Sequence, residues 1–147
     1  MKTNILKVYS LFTGAGGFDI GFEEAGFEII GASDIWIESQ KTMALNYPNV
    51  PFICKDIRLL TSKEILESTK GKYPDVIIGG PPCQGFSVMG DKNSADPRNS
   101  LFESYARIVE DLKPMCFVFE NGKFGITVDY LVRFSIFLDY EFKVVER

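Results

Sequence analysis

Cys83 stands in a loop whose composition suits covalent chemistry. The loop reads Gly79-Gly-Pro-Pro-Cys-Gln-Gly-Phe-Ser87, and two prolines fix the backbone just before the cysteine. A thiolate is a strong, soft nucleophile, and nearby polar groups or a helix start can activate it by lowering the pKa of the thiol. A free cysteine is more often a small buried hydrophobic residue, and we expect that role for Cys54 and Cys116, which lie within apparent strands. For Cys83 the loop predicts a nucleophile that faces a ligand.

Glu120, in the segment Phe119-Glu-Asn121, is a second candidate for chemistry. It follows another apolar run, so it should face the same edge of a sheet as the cysteine loop. A nucleophile paired with an acid suits attack on an electron-poor heterocycle, because the carboxyl group can protonate or hydrogen-bond a ring nitrogen. Taken alone, a glutamate at this place is more often a helix cap. The chain contains no histidine, which excludes histidine catalysis.

A glycine-rich segment, Ser10-Leu-Phe-Thr-Gly-Ala-Gly-Gly-Phe-Asp-Ile-Gly21, predicts a tight turn that approaches a ligand closely. Asp19 occupies the third glycine position of the dinucleotide fingerprint, which favours a smaller nucleoside over a pyrophosphate. Asp34 follows Gly14 by 20 residues, at a place where an acid commonly binds ribose hydroxyls. Asp56 comes after the next apolar run and could accept from an adenine amino group. The alternative is that the glycines only shape a turn and the acids cap helices.

The elements that must position these residues alternate along the chain. Apolar, β-rich runs are separated by stretches with helical spacing, such as Phe18, Phe22 and Ala25. This alternation predicts an α/β fold with a mostly parallel sheet flanked by helices, whose ligands bind at the carboxyl ends of the strands. The predicted strands are Lys7–Phe12, Phe27–Ala32, Pro51–Cys54, Asp75–Gly79, Met115–Glu120 and Phe142–Glu146, and a further helical repeat comprises Leu101, Tyr105, Ile108 and Leu112.

Start and stop signals mark the predicted helices. Thr61 with Glu64, and Ser100 with Glu103, each have the spacing of a capping box. Gly26 stands where the first helix should stop, and the helix before Pro114 cannot continue through that proline.

Bulk properties restrict the classes of function. The 147 residues suit one domain, and 46% hydrophobic with 24% charged residues is ordinary for a globular protein. No apolar run is long enough to cross a membrane, and we expect a cytoplasmic protein without a secretory signal. Three widely spaced cysteines predict neither a metal site nor a disulfide framework. The net charge of −4 argues mildly against nucleic acid as a partner.

Together, these motifs resemble those of the C5 cytosine-specific DNA methyltransferases. SLFTGAGG with Phe18, then PPCQGFS, then Phe119-Glu-Asn121 occur in the family's order, and Asp96-Pro-Arg-Asn-Ser-Leu-Phe102 is similar to a further signature. The resemblance implies the Rossmann-like, S-adenosylmethionine-dependent methyltransferase fold. It also implies methylation of C5 of a flipped-out cytosine in double-stranded DNA, through a covalent adduct of Cys83 with C6.

The resemblance also implies roles for individual residues. Cys83 and Glu120 would be catalytic, with Glu120 on N3 and the amino group of the base. Pro82, Gln84, Ser87 and Asn121 would bind the substrate. The S-adenosylmethionine site would comprise Phe12, Gly14, Gly16, Phe18, Asp34, Ile35, Asp56, Ile57 and Leu101. No metal is implied.

The sequence departs from the family pattern at two residues and in its extent. Ser10 stands where many members have aspartate, and Gly122 where most have valine. The family continues with a Gln-x-Arg-x-Arg stretch, a target-recognition domain and a last helix. We therefore expect residues 1–147 to be a truncated catalytic domain, its N-terminal part. Such a chain would reach DNA through the missing region, with a complementary subunit or self-association to complete it, and would be inactive alone.

Two alternative functions stay open. One is a transfer-RNA cytosine-5 methyltransferase, which the sequence Gly85-Phe-Ser87 disfavours. The other is a non-catalytic module that binds the cofactor or a partner.

Overall fold

The computed structural model describes residues 4–81 and 99–120, and its strands form one parallel sheet. The strand order is β3-β2-β1-β4-β5, and every neighbouring pair is parallel. The prediction of an α/β fold with a parallel sheet is confirmed, and the predicted strand Phe142–Glu146 lies outside the described residues. In chain order the elements are β1 (Lys7–Leu11), α1 (Gly17–Glu24), β2 (Glu28–Asp34), α2 (Ile37–Asn46), β3 (Phe52–Cys54), α3 (Ser62–Ser68), β4 (Val76–Gly79), α4 (Asn99–Leu112) and β5 (Cys116–Phe119).

Side chains of the central strands are buried on both faces of the sheet. Val8 and Ile78 belong to the cluster on one face, which Phe18 and Phe22 of α1 cover. Tyr9 and Leu11 belong to the other face, where they join residues of α3 and α4 in the largest cluster. Burial on both faces explains why the strands read as continuous apolar runs rather than as alternating ones.

Local signals define most helix ends as predicted. The capping box of α3 is present, because Thr61 Oγ1 accepts from Glu64 N at 3.2 Å and Thr61 N donates to Glu64 Oε2 at 3.0 Å. Gly26 follows α1 with a φ of 90°, and α4 ends before Pro114. The second predicted capping box is wrong, since α4 already begins at Asn99 and Ser100 lies inside it. The Ser-x-x-Glu spacing also fits the interior of a helix. The motif therefore predicted the position of the first turn of α4 but not the residue at which α4 begins.

Two cysteines expected in the core are exposed instead. Cys54 ends β3 and Cys116 begins β5. These strands are the outermost of the described sheet, so a side chain there has a neighbouring strand on one side only. The prediction that both cysteines are buried is therefore wrong.

The carboxyl end of β4 packs closely against β1 and α4. A Cβ placed on Gly79 would lie 2.8 Å from the Leu11 backbone oxygen and 2.9 Å from Tyr105 Cε2. The fully buried Tyr105 hydroxyl lies within hydrogen-bonding distance of two backbone oxygens, 3.3 Å from Ile77 and 3.1 Å from Val118, and its desolvation raises the pKa of this phenol. This packing fixes the strand ends after which the Cys83 loop and Glu120 follow.

Candidate functional site

A cavity of about 340 Å³ opens where four parallel strands end. Its lining begins with Phe12 directly after β1 and continues with Asp34 at the end of β2. Asp56 follows β3, and Gly80 follows β4. The complete lining is Phe12, Ser33, Asp34, Ile35, Trp36, Lys55, Asp56, Ile57, Arg58, Gly80 and Leu101. Six of the residues expected to bind the cofactor are therefore together: Phe12, Asp34, Ile35, Asp56, Ile57 and Leu101.

Asp34 connects the glycine-rich turn to the start of α2. Its Oδ2 accepts from Gly14 N at 2.9 Å, and its Oδ1 accepts from Trp36 N at 3.0 Å. An ionised carboxylate offers about four acceptor positions, so these two amides leave room for donors from a ligand. Asp34 thus has the local structural role of a turn residue and still presents a carboxylate to the cavity.

Asp56 is paired with a neighbouring arginine. Arg58 N donates to Asp56 Oδ1 at 2.9 Å, Arg58 Nε lies 3.0 Å from both carboxylate oxygens, and Arg58 Nη2 contacts Oδ2. The hydrogen bond from the Arg58 side chain lowers the pKa of Asp56, which stays ionised at neutral pH. An adenine amino group that reached Asp56 would share the carboxylate with this guanidinium.

The glycine-rich turn depends on backbone conformations that favour glycine. Gly14 has a φ of 56° and Gly16 a φ of 84°, both in the left-handed region. Gly16 N donates to Thr13 O at 2.9 Å, and a Cβ on Gly16 would lie 3.0 Å from Met43 Sδ. The turn therefore combines left-handed backbone conformations with close packing against α2. Gly14 and Gly16 contribute to the site through the backbone, outside the lining of the cavity.

Phe18 lies apart from the cavity. Its ring packs against the apolar cluster of Val8, Ile29, Val76 and Ile78, with its centroid 6.5 Å from that of Phe22. Phe12, which has a φ of 54°, is the phenylalanine of this segment that faces the cavity. The structure thus gives Phe18 a half-buried position against the core, on the face that α1 covers.

Glu120 lies beside the cavity wall. Its backbone N donates to Gly79 O at 2.9 Å, and its Oε2 is 3.1 Å from where a Cβ on Gly80 would be. Because Gly80 lines the cavity, an exposed carboxylate stands next to it. The other residues expected to contact the substrate, and the expected nucleophile, lie outside the described residues: Pro82, Cys83, Gln84, Ser87 and Asn121.

Sequence reasoning missed five residues that line the cavity: Ser33, Trp36, Lys55, Arg58 and Gly80. Trp36 and Arg58 each follow a predicted acid by two residues, and each donates its backbone N–H to that acid. The sequence did contain a signal for both residues, because each is a large side chain two positions after an acid that was predicted to bind the ligand. Lys55 Nζ is held by Glu64 Oε1 at 2.7 Å.

Within residues 4–81 and 99–120, no group of three or more histidine, cysteine, aspartate or glutamate side chains is placed to hold a metal ion. None of the helices in the same ranges is long and apolar enough to cross a membrane.

Comparison with known proteins decides the family. The family model of the C-5 cytosine-specific DNA methylases matches residues 6–140. The chain belongs to this family. Among solved structures, it is similar to one assigned as a DNA modification methyltransferase encoded within a prophage (E. coli), with a TM-score of 0.77, 33% identity and coverage of 91% of this chain and 38% of that one. The parallel sheet is thus the methyltransferase fold of this DNA methylase family.

Curated relatives of this chain are longer proteins. Type II methyltransferase M.XorII of Xanthomonas oryzae is 42% identical over 120 residues, which is 80% of this chain and 28% of the relative. Type II methyltransferase M.AquIA of Picosynechococcus sp. is 44% identical over 120 residues, 80% of this chain and 48% of the relative. The chain thus spans less than half the length of either.

Proposed function

We propose that this chain carries the cofactor-binding and catalytic residues of an S-adenosylmethionine-dependent DNA (cytosine-5) methyltransferase. The observation that supports the proposal most directly is the cavity at the strand ends, in a chain of the C-5 cytosine-specific DNA methylase family. Its volume of about 340 Å³ suits a nucleoside-sized ligand, and its lining combines apolar side chains with two carboxylates. We also propose, from the lengths of the relatives, that residues 1–147 correspond to the N-terminal part of the catalytic domain.

The residues present fit S-adenosylmethionine. Asp34 has acceptor positions left for ribose hydroxyls after binding the Gly14 and Trp36 amides. Ile35 and Ile57 provide apolar surface for the adenine ring, and Leu101 closes the cavity from α4. When bound, S-adenosylmethionine supplies an electrophilic methyl group. The task of these side chains is to bind and orient its nucleoside part.

Cys83 and Glu120 are proposed to act on the base. C5 of cytosine is a weak nucleophile until a thiolate adds to C6, which gives C5 the character of an enamine carbon. Glu120, beside Gly80 at the cavity wall, would hold a proton at N3 during this addition. Once C5 carries the methyl group, loss of the C5 proton to a base expels the Cys83 thiolate and restores the ring. The resemblance to the family implies roles for Pro82, Gln84, Ser87 and Asn121 around the flipped base.

Double-stranded DNA is the proposed substrate, although the chain itself is acidic. Phosphate binding depends on lysine and arginine, and the net charge here is −4. We therefore place most of the phosphate contacts in the part of the relatives that lies beyond the matched region, whether it comes from the same polypeptide, a complementary subunit or a second copy. The cytoplasmic location expected from the sequence agrees with this function.

Trp36 provides a direct test of the cofactor proposal, because it is the only tryptophan of the chain and lines the cavity. It is 67% exposed, so a ligand that covers it should shift or quench its fluorescence. Titration with S-adenosylmethionine and S-adenosylhomocysteine should give saturable changes, whereas NAD should give none. The variant Trp36→Phe controls for inner-filter effects, and calorimetry checks the stoichiometry. Absence of both a fluorescence change and binding heat would exclude the proposed cofactor site.

A further inference from the structure

Asp19 is a fully buried carboxylate behind the glycine-rich turn. It lies in the first turn of α1 with 0% exposure. Its Oδ2 accepts from Thr13 Oγ1 at 2.6 Å and from Ser10 Oγ at 3.1 Å. Its Oδ1 has no hydrogen-bond partner of good geometry among the described residues. Burying an acid in this way is unfavourable unless it is well bonded, so the position calls for a specific role.

Among the side chains of the turn that Asp19 supports, only one can form a hydrogen bond. Residues 13–17 read Thr-Gly-Ala-Gly-Gly, so Thr13 is the only one with a polar side chain. Thr13 O in turn accepts from Gly16 N at 2.9 Å, and Gly14 N donates to Asp34 at the cavity. A path of direct contacts therefore leads from Asp19 through Thr13 and Gly14 to the carboxylate proposed to bind ribose.

We propose that Asp19 is a positioning residue for the cofactor site, which acts on the glycine-rich turn through the Thr13 hydroxyl. The second hydroxyl that donates to Oδ2 is that of Ser10, a residue of β1. This hydrogen bond connects α1 to β1 rather than to the turn. The inference rests on the proposed function, because the effect of the turn is measured as affinity for S-adenosylmethionine.

To hold the turn, Asp19 needs an acceptor oxygen at the place of Oδ2 more than it needs a negative charge. Burial raises the pKa of Asp19, against the lowering effect of the Thr13 and Ser10 hydroxyls. A neutral group with an oxygen at the place of Oδ2 can still accept both hydroxyls. Asp19→Asn should therefore preserve the turn, whereas Asp19→Ala should not.

The test compares four variants by calorimetric titration with S-adenosylmethionine. Thr13→Val and Asp19→Ala should weaken binding about three- to tenfold, because the turn loses the hydrogen bond that holds it in the binding conformation. Ser10→Ala removes the other donor to the same oxygen and is the matched control. It and Asp19→Asn should bind almost as tightly as the wild type.

A second measurement separates this inference from the proposed function. In the ligand-free protein, the amides of Gly14 and Gly16 should exchange with solvent faster in Thr13→Val and Asp19→Ala than in Ser10→Ala. If the wild type fails to bind S-adenosylmethionine, the proposed function is wrong, while amide exchange still decides the role of Asp19. If Asp19→Ala does not fold, the isosteric Thr13→Val carries the test. Unchanged exchange and affinity in Thr13→Val, or an equal loss in Ser10→Ala, would overturn the proposal.

Discussion

Replacing Asp34 by alanine removes the acceptor of two backbone amides at the cavity and the proposed partner of the ribose. The amide of Gly14 is partly buried and loses its bond to Oδ2, whereas that of Trp36 is exposed and can bond to water instead. The variant should therefore be both less stable and weaker in cofactor binding. These two effects have different sizes and can be measured separately.

The stability effect follows from the Gly14 bond. Leaving a partly buried donor without its charged acceptor costs about 1–3 kcal/mol, and the exposed Trp36 amide adds little. A loss of about 2 kcal/mol lowers Tm by roughly 4–8 °C in a protein of this size. Loss of the bond to ribose should cost a further 1.5–3 kcal/mol or so of binding free energy, which weakens binding about tenfold or more.

The assay combines thermal unfolding with calorimetric titration of S-adenosylmethionine. Asp111→Ala is the matched control, because Asp111 accepts from Ser62 Oγ at 2.6 Å on an exposed surface outside the cavity lining. The control should keep its affinity for the ligand. Unchanged affinity in Asp34→Ala, measured well below its Tm, would refute the ribose role even if the loss of stability were observed.

Three further changes test other parts of the structure. In the full-length or reconstituted enzyme, Cys83→Ser should abolish methyl transfer to DNA in a tritium assay while sparing cofactor affinity, and wild-type turnover would contradict the assignment. Gly79→Ala places a Cβ 2.8 Å from a backbone oxygen of β1 and should lower the free energy of unfolding in urea by about 1–3 kcal/mol, whereas Gly21→Ala meets nothing within 4 Å and should not destabilise. The hydrogen bond from Lys55 contributes most to lowering the pKa of Glu64 from 4.5 to about 2. The stabilisation is therefore complete above about pH 5 and lost as the pH falls towards 2, and Glu64→Gln should remove this part of the pH dependence of Tm.

The sequence predicted the five described strands well because each lies in a short apolar, β-rich run. Asp34 was placed correctly at the end of β2, and the capping box at Thr61 forms as its spacing indicates. The exposure of Cys54 was not predictable in this way, because burial depends on the place of β3 in the sheet order. The pairing of Asp56 with Arg58 was missed for a related reason, since it depends on the conformation of the turn after β3.

The strand order also divides the site between two stretches of chain. The residues proposed to hold the nucleoside come mainly from the ends of β1, β2 and β3, whereas Glu120 and the loop that contains Cys83 follow β5 and β4. Only Gly80 and Leu101 bring the second stretch to the cavity. Substitutions at the ends of β2 and β3 should therefore change the affinity for the proposed methyl donor with little effect on Glu120. The proposed cofactor binding and base chemistry would in this sense vary independently within one sheet.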